Sequence, residues 1–481
     1  MKFPTHKTKI VCTIGPTSDE QRILERMIRQ GMDVARLNFA HGNFDSHARS
    51  IERIRAAAKK VGRRVAIMAD LPGPKMRVGE LAVEPVQLVR GQMITLTSKR
   101  VLGDTDRISV SFSGLSNAAR PGEEIFLNDG FIRLKVEETA EDEVRCRVVV
   151  GGELRSHKGV NLPGTDLGIS AITDDDRRFL EFALDQGVDA VSISFVQGPE
   201  DIATVREAAH AHGKNPFVIA KIERAVAIRR IRGIMEAADG IMVARGDLGV
   251  ETPIEGIAIL QKRLIREANL LGKPVITATQ MLESMVGNSR PTRAEATDVA
   301  NAILDGTDAV MLSEESAVGA YPVDAVGMLA RIAQATEGNH SDYGFNDYLS
   351  PSAAAGGELI EETIASSVVA TARRLRPRLI AIPTRTGATA RRVTRYRLRP
   401  WILALSHNPA TCQQLAFSYG VYPVYLEDDR HDWNKILVEW CNEKQITSGI
   451  VVMTQGSSRR NPDRTNQIEV FSLGEGGMEN E

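Results

Sequence analysis

The sequence predicts an α/β chain built on a closed (β/α)8 barrel, with a small all-β domain inserted into it and an open α/β domain after it. Three observations carry this reading. Eight short apolar runs alternate with amphipathic segments, the rhythm of strands and covering helices. The rhythm stops once, over residues 78–158, and it resumes in another form beyond residue 339. The expected domains are therefore 1–77 with 159–338 for the barrel, 78–158 for the insert and 339–481 for the C-terminal domain.

The eight runs are KIVCTIG (9–15), VARLNF (34–39), RVAIMADL (64–71), AVSISFV (190–196), FVIAKIE (217–223), GIMVARGD (240–247), PVITATQ (274–280) and AVMLSEES (309–316). Most are continuously apolar rather than alternating, as expected of parallel strands covered on both faces. Helical patterns such as SDEQRILERMIRQGM and TDDDRRFLEFALDQG lie between them. The second opens with Thr173 and three aspartates, which suits a helix N-terminus. Thr292 and Glu295 form a capping-box pattern after Pro291, and Cys12 is expected in the core. Within 78–158, MITLTS, RISVSF, EIFLNDG, IRLKVEE and EVRCRVVV alternate and are punctuated by Gly, Pro and Asp, so they read as a small β domain. It follows the third barrel strand, at the mouth, where a lid would sit. The polar segment at 338–357 reads as a linker. A helix over about 361–375, LIAIPT, a helix near 388–396, WILALS, VYPVYL and GIVVMT then describe the C-terminal domain.

Composition narrows the function. The 481 residues carry a formal net charge of −2 with 25% charged residues, so a general nucleic-acid or membrane-surface role is disfavoured. The four cysteines form no CxxC pair, which argues against a zinc site or a disulfide framework. No signal-peptide stretch or bilayer-length apolar run is present, so a cytoplasmic location is expected.

The chemistry gathers at strand ends. Strand two ends with Arg36 and Asn38, followed by His41; strand three ends with Asp70, then Lys75 and Arg77. Ser194 follows strand four, Lys221 and Glu223 end strand five, Arg245, Gly246 and Asp247 end strand six, and Thr279 ends strand seven. Any one of these polar groups could be structural; so many on one rim point to a site. Glu223 and Asp247 lie on adjacent strands, and two carboxylates without thiol or imidazole suit a hard cation such as Mg²⁺. Lys221 shares the strand face of Glu223, so ammonium and metal together would suit a phosphoryl group. The alternative is an internal salt bridge of Lys221 with a neighbouring acid.

At this point TKIVCTIGPTS, GMDVARLNFAHG, DLPGPKMR, SHKGVNLPG, AKIER, MVARGDLGVE, ITATQMLESM and PTRAEATDVANAILDGTDAVMLS resemble the pyruvate kinase family, in order along nearly the whole chain. The resemblance implies a TIM barrel with a lid and a C-terminal regulatory domain, in a homotetramer. It implies transfer of phosphate from phosphoenolpyruvate to ADP, giving pyruvate and ATP, the last step of glycolysis. By the same resemblance, Glu223 and Asp247 bind Mg²⁺ (or Mn²⁺), and Arg36 and Lys221 hold the phosphoryl group. Backbone N–H groups of Gly246 and Asp247, with the Thr279 hydroxyl, receive the substrate carboxylate, and a proton is delivered near Thr279. Pro16, Asn38, His41, Arg77 and Lys158 contact the nucleotide.

Two departures stand out. Many members use K⁺ held by an Asn-Phe-Ser-His and an Asp-Thr-Lys-Gly-Pro-Glu run. Here the runs are Asn38-Phe39-Ala40-His41 and Asp70-Leu71-Pro72-Gly73-Pro74-Lys75. A ligand oxygen is lost and a fixed ammonium gained, so Lys75, expected near Asn38 and Asp70, resembles the K⁺-independent branch. Its bland reading is a surface lysine paired with Asp70. Glu314 also stands where relatives carry a small residue. In the C-terminal domain, PTRTGATARRVTRYR resembles an effector loop. Thr384, Thr386, Gly387 and Thr389 before a helix would hold an effector phosphate, with plain capping as the alternative; residues 454–467 would add contacts. Two other functions fit parts of the pattern: a Mg²⁺-dependent aldolase or lyase of the same barrel type, and a catalytically silent barrel acting as a sensor. The insert with Arg77 and Lys158 disfavours the first, and retention of Lys221 and both carboxylates disfavours the second.

Overall fold

The computed structural model describes residues 3–165, 168–339, 357–427, 432–456 and 465–474. Strands Lys9–Thr13, Met32–Asn38, Ala66–Leu71, Ala190–Ile193, Phe217–Ile222, Gly240–Ala244, Val275–Ala278 and Ala309–Leu312 form a closed barrel. All pairings are parallel, and closure is made by Lys9 opposite Ala309. Both faces of these strands are covered, which is why their sequences run apolar without alternation. Met68, Ile219, Met242 and Met311 fill the interior, and a second apolar layer packs strands against helices. The helices start on the expected signals. Thr173 accepts from the Asp176 N–H while the Asp176 carboxylate accepts from the Thr173 N–H, and Thr292 and Glu295 repeat the arrangement.

Residues following the third strand form a six-stranded sheet in the order Val160–Asn161, Glu124–Leu127, Ile132–Ala140, Glu143–Val150, Met93–Thr97, Arg107–Ser109. Val86–Leu88 pairs separately with Gly152–Leu154. The sheet thus runs past the expected boundary at 158, because Val160–Asn161 pairs back with Phe126 and Leu127.

The C-terminal sheet has the order Val421–Tyr425, Trp401–Ser406, Leu379–Pro383, Gly449–Gln455, Gln467–Leu473. Four strands are parallel, and the last is an antiparallel edge that the sequence reading did not include. This domain closes the floor of the barrel. Phe417 stacks on Phe217 with ring centroids 5.4 Å apart, and Phe217 opens the fifth barrel strand. Most of the expected linker, residues 340–356, and residues 457–464 of the 454–467 run lie outside the described residues. Among the described residues no helix is long and apolar enough to cross a membrane.

Candidate active site

The strand register sets Asn38 opposite Asp70 and Asp70 opposite Ser192, so side chains from strands two to five meet at the carboxyl end of the barrel. Asp70 is 2% exposed and fully engaged. Its Oδ2 accepts from Arg36 Nε at 3.0 Å, and Arg36 Nη2 closes on the same oxygen. Its Oδ1 accepts from Ser192 Oγ at 2.5 Å and lies 3.4 Å from Lys221 Nζ. Burial opposes this charge, but Arg36 and Lys221 outweigh it and hold the carboxyl below its usual range. Arg36 also reaches Thr13 Oγ1 at 2.8 Å, which ties strand one into the group.

Lys221 Nζ has Glu223 Oε1 at 2.9 Å, Ser194 Oγ at 2.5 Å and the Asp70 contact. Its three hydrogens are therefore all directed. Burial would favour the neutral amine, yet Asp70 and Glu223 raise it above the ordinary lysine value. Both acids thus favour the ammonium form of Lys221 over the amine. The internal salt bridge offered as the alternative is present, with Asp70 and Glu223 as its partners.

Glu223 Oε2 accepts from the Phe195 N–H at 2.8 Å, with Phe195 at φ +57°. Burial and the nearby Asp247 carboxylate push Glu223 up, against the pull of Lys221. Two neighbouring carboxylates are a suitable donor set for a divalent cation. Among the described residues no group of three or more His, Cys, Asp or Glu is assembled as a metal cage. An ion on Glu223 and Asp247 must therefore take its remaining oxygens from substrate and water, the usual condition of Mg²⁺ at a phosphoryl site.

Asp247 lies in the first turn of the helix Arg245–Glu251. The Gly246 N–H donates to Thr279 Oγ1 at 2.8 Å, and Thr279 Oγ1 donates to Ala278 O at 2.7 Å. Thr279 and Gln280 have φ of +66° and +54°. This strained turn is held by Arg245, which reaches Ala278 O, Thr279 O and Asp298 Oδ1 at 3.2, 2.8 and 2.7 Å.

Lys75 does not stand where expected. Its Nζ pairs with Asp247 Oδ1 at 3.1 Å, not with Asp70. The reason is occupancy: Arg36, Ser192 and Lys221 already surround Asp70, so the ammonium goes to the carboxylate that lacks a cation. Asn38 Oδ1 accepts from the Ala40 N–H at 3.2 Å, within its own turn.

Of the residues assigned to the nucleotide, Arg77 and Lys158 lie where the chain enters and leaves the insert. The Val78 N–H donates to Lys158 O at 2.8 Å and Arg77 bridges to Gly159, which brings Arg77 and Lys158 together. Arg77 Nη1 donates to His157 O at 3.0 Å. His41 and Pro16 are exposed on neighbouring loops. A cleft of about 1010 Å³ separates the insert from the mouth, with Asp129, Phe131 and Arg133 on one wall and Gly246, Asp247 and Thr279 on the other. Glu314 lines it and is exposed. Sequence reading missed Ser192, the stapling role of Arg245, and buried Glu315, which accepts from the Leu282 and Ser313 N–H groups at 3.1 and 2.7 Å. A polar residue inside a barrel strand was the only available signal for Ser192.

In the loop after Leu379–Pro383 the capping alternative is realised at two amides: the Gly387 N–H donates to Thr384 Oγ1 at 2.8 Å and the Ala388 N–H to Thr386 Oγ1 at 3.4 Å. The hydroxyls cap their own loop before the short helix Ala388–Thr394. Gly387 has φ +80°, and Thr389 Oγ1 meets Thr465 Oγ1 at 2.8 Å. The loop does sit at the switch point of the sheet, after Leu379–Pro383, which pairs with Trp401–Ser406 on one side and Gly449–Gln455 on the other.

Comparison with known proteins agrees with this geometry. The family model "Pyruvate kinase, barrel domain" matches residues 5–326, and "Pyruvate kinase, alpha/beta domain" matches residues 362–471. The chain is similar to a pyruvate kinase of Thermococcus litoralis, 46% identical over 98% of this chain and 100% of the relative. It is also similar to pyruvate kinase 2 of Synechocystis, 46% identical over 88% of this chain and 71% of the relative. The crystal structure of a pyruvate kinase from Cryptosporidium parvum superposes with a TM-score of 0.90 at 36% identity, covering 98% of this chain and 96% of that one.

Proposed function

The chain belongs to the pyruvate kinase family, phosphotransferases that carry a phosphoryl group from phosphoenolpyruvate to ADP, and from that premise we propose how its own residues divide the work. The observation that carries the reading is the buried Lys221, paired with the Asp70 and Glu223 carboxylates at the barrel mouth. Lys221 and Arg36 hold the phosphoryl oxygens and offset the charge that spreads over them during transfer. Glu223 and Asp247 would hold Mg²⁺ (or Mn²⁺), which would supply Lewis acidity and neutralise phosphoryl charge. The N–H groups of Gly246 and Asp247 and the hydroxyl of Thr279 receive the substrate carboxylate, which replaces the internal Gly246–Thr279 hydrogen bond. A proton delivered on the Thr279 side, through water, completes pyruvate. Pro16, Asn38, His41, Arg77 and Lys158 receive the nucleotide, and closure of the insert excludes water.

Turnover without K⁺ belongs to the same reading. Ala40 offers no side-chain oxygen, the Asp70 oxygens are engaged and Asn38 Oδ1 is used locally. Lys75 supplies the monovalent charge instead, at Asp247. Allosteric control by a phosphorylated effector at Thr384, Thr386, Gly387 and Thr389 is supported by the switch-point position, and such a ligand would have to displace the two threonine caps. The assembly is read as a cytoplasmic homotetramer, to be checked by light scattering.

The test is ATP formation from phosphoenolpyruvate and ADP with Mg²⁺, for the wild type and Lys221→Met. The wild type should turn over and the variant should lose about a thousandfold or more while remaining folded. No ATP from folded wild type defeats the reading.

A further inference from the structure

A second basic site lies away from the barrel mouth. The helix Gly357–Leu375, the Arg376–Arg378 segment and the Tyr396–Pro400 turn enclose a cavity of about 560 Å³ with Glu337 and Gly338 at the end of the last barrel helix. Five arginines line it: Arg373, Arg376, Arg378, Arg397 and Arg399. Arg397 is neutralised by Asp308, with Nη1–Oδ1 at 2.9 Å. The one carboxylate on the wall, Glu337, accepts from the Lys7 and Thr8 N–H groups at 2.7–2.9 Å. Arg373, Arg376, Arg378 and Arg399 make no ion pair among the described residues, and all four are exposed.

Complementarity to the helix dipole accounts for Arg373, in the last turn of its helix. It does not account for Arg378 and Arg399, which come from other segments. Arg376 adds an independent observation. It follows the helix with φ +49°, in the left-handed conformation that favours glycine, and its N–H donates to Ala372 O. An arginine there carries a backbone cost that no ion pair of its side chain with a described residue offsets. Like charges gathered around one concavity repel unless an anion enters. The apolar part of the wall, with Tyr396, Leu398 and Pro400, gives space for more than a bare ion. The volume falls in the usual range for small-molecule sites, about 300–1,000 Å³.

We propose that this cavity binds a small phosphorylated molecule carrying at least two negative charges. It is separate from the threonine loop: Arg378 precedes the strand Leu379–Pro383 and Thr384 follows it, so the two sites are at opposite ends of that strand. The turn that lines the cavity also carries Arg397, which holds the barrel residue Asp308. Occupancy is thereby linked to the junction of barrel and C-terminal domain.

The test is calorimetric titration of the full chain with glucose 6-phosphate, inorganic phosphate and, as the uncharged control, glucose. Binding is read without turnover, so the result stands apart from the catalytic reading. The wild type should bind glucose 6-phosphate saturably and glucose not at all. The double variant Arg376→Gly/Arg378→Ala should weaken it by about tenfold or more, since charge-assisted hydrogen bonds are lost. Arg376→Gly relieves the left-handed backbone, so the melting temperature should not fall and loss of binding cannot be put down to unfolding. Thr384→Ala/Thr386→Ala should leave the affinity intact. Phosphate binding as tightly as its ester, and weakening in the same variant, supports the site and assigns it to the free anion. Unchanged affinity in the arginine variant, loss only in the threonine variant, or no saturable binding by the wild type overturns the proposal.

Discussion

Lys221 is held by Asp70, Glu223 and Ser194, and the neutral partner is the informative one. Removing either carboxylate would change charge and geometry together, whereas Ser194→Ala deletes only the 2.5 Å contact that aims the ammonium. A hydrogen bond to a charged group is worth about 1.5–3 kcal/mol. Ser194→Ala should therefore lower kcat by about tenfold to a hundredfold with the far-ultraviolet spectrum unchanged, as measured by a coupled pyruvate assay. The same crowding explains what could not be read from the chain. Asp70 and Lys75 are five positions apart, which made them natural partners. Yet Arg36, Ser192 and Lys221 come from three other strands and fill the aspartate, and no local spacing reveals that convergence. Lys221 beside Glu223, by contrast, was legible from the two-residue period of a strand.

Among the elements, the barrel strands were legible because burial on both faces leaves uninterrupted apolar runs, and the helix starts because their caps are local chemistry. Thr292 and Glu295 show how much such a cap does. The Glu295 carboxylate accepts from the Thr292 N–H at 2.7 Å and also from the Ser284 N–H and Oγ, at 2.7 and 2.5 Å. Burial opposes its charge, but the bonds from Ser284 and Thr292 prevail and hold it below the usual glutamate value. Its folded value is thus below its unfolded one. The stabilisation is present above about pH 4.3 and is lost as pH falls through the folded value. Thr292→Ala should cost about 1 kcal/mol. The urea midpoints of wild type and Glu295→Gln should differ at pH 7 and converge toward pH 3. The strands Val86–Leu88, Gly152–Leu154 and Val160–Asn161 escaped notice because two or three residues show no period. At the Thr384 loop the sequence left phosphate binding and plain capping open; the threonine hydroxyls accept from the loop's own N–H groups, a choice that composition does not disclose.

In the whole molecule, the C-terminal domain is part of the barrel's floor. Phe417 stacks inside it. Arg397, with a fully buried side chain, donates to both oxygens of Asp308 at 2.9 Å and to Asn269 Oδ1 at 3.1 Å. Removing one partner of a buried pair leaves the other charge stranded, at about 3–5 kcal/mol. Arg397→Ala should lower the calorimetric melting temperature far more than Arg399→Ala, whose side chain is exposed. The change of rhythm along the chain revealed three regions. It could not reveal this junction, which depends on residues more than eighty positions apart. Between the insert and the barrel mouth lies the cleft in which Lys75 faces Asp247. The most direct test of the account is the initial rate of ATP formation with Mg²⁺ in potassium-free tetramethylammonium buffer against the rate in KCl, for wild type and Lys75→Glu. The wild type should turn over without K⁺ and change by less than about twofold, while Lys75→Glu should fall in tetramethylammonium and be partly rescued by K⁺. A wild type that is idle until KCl is added would contradict it.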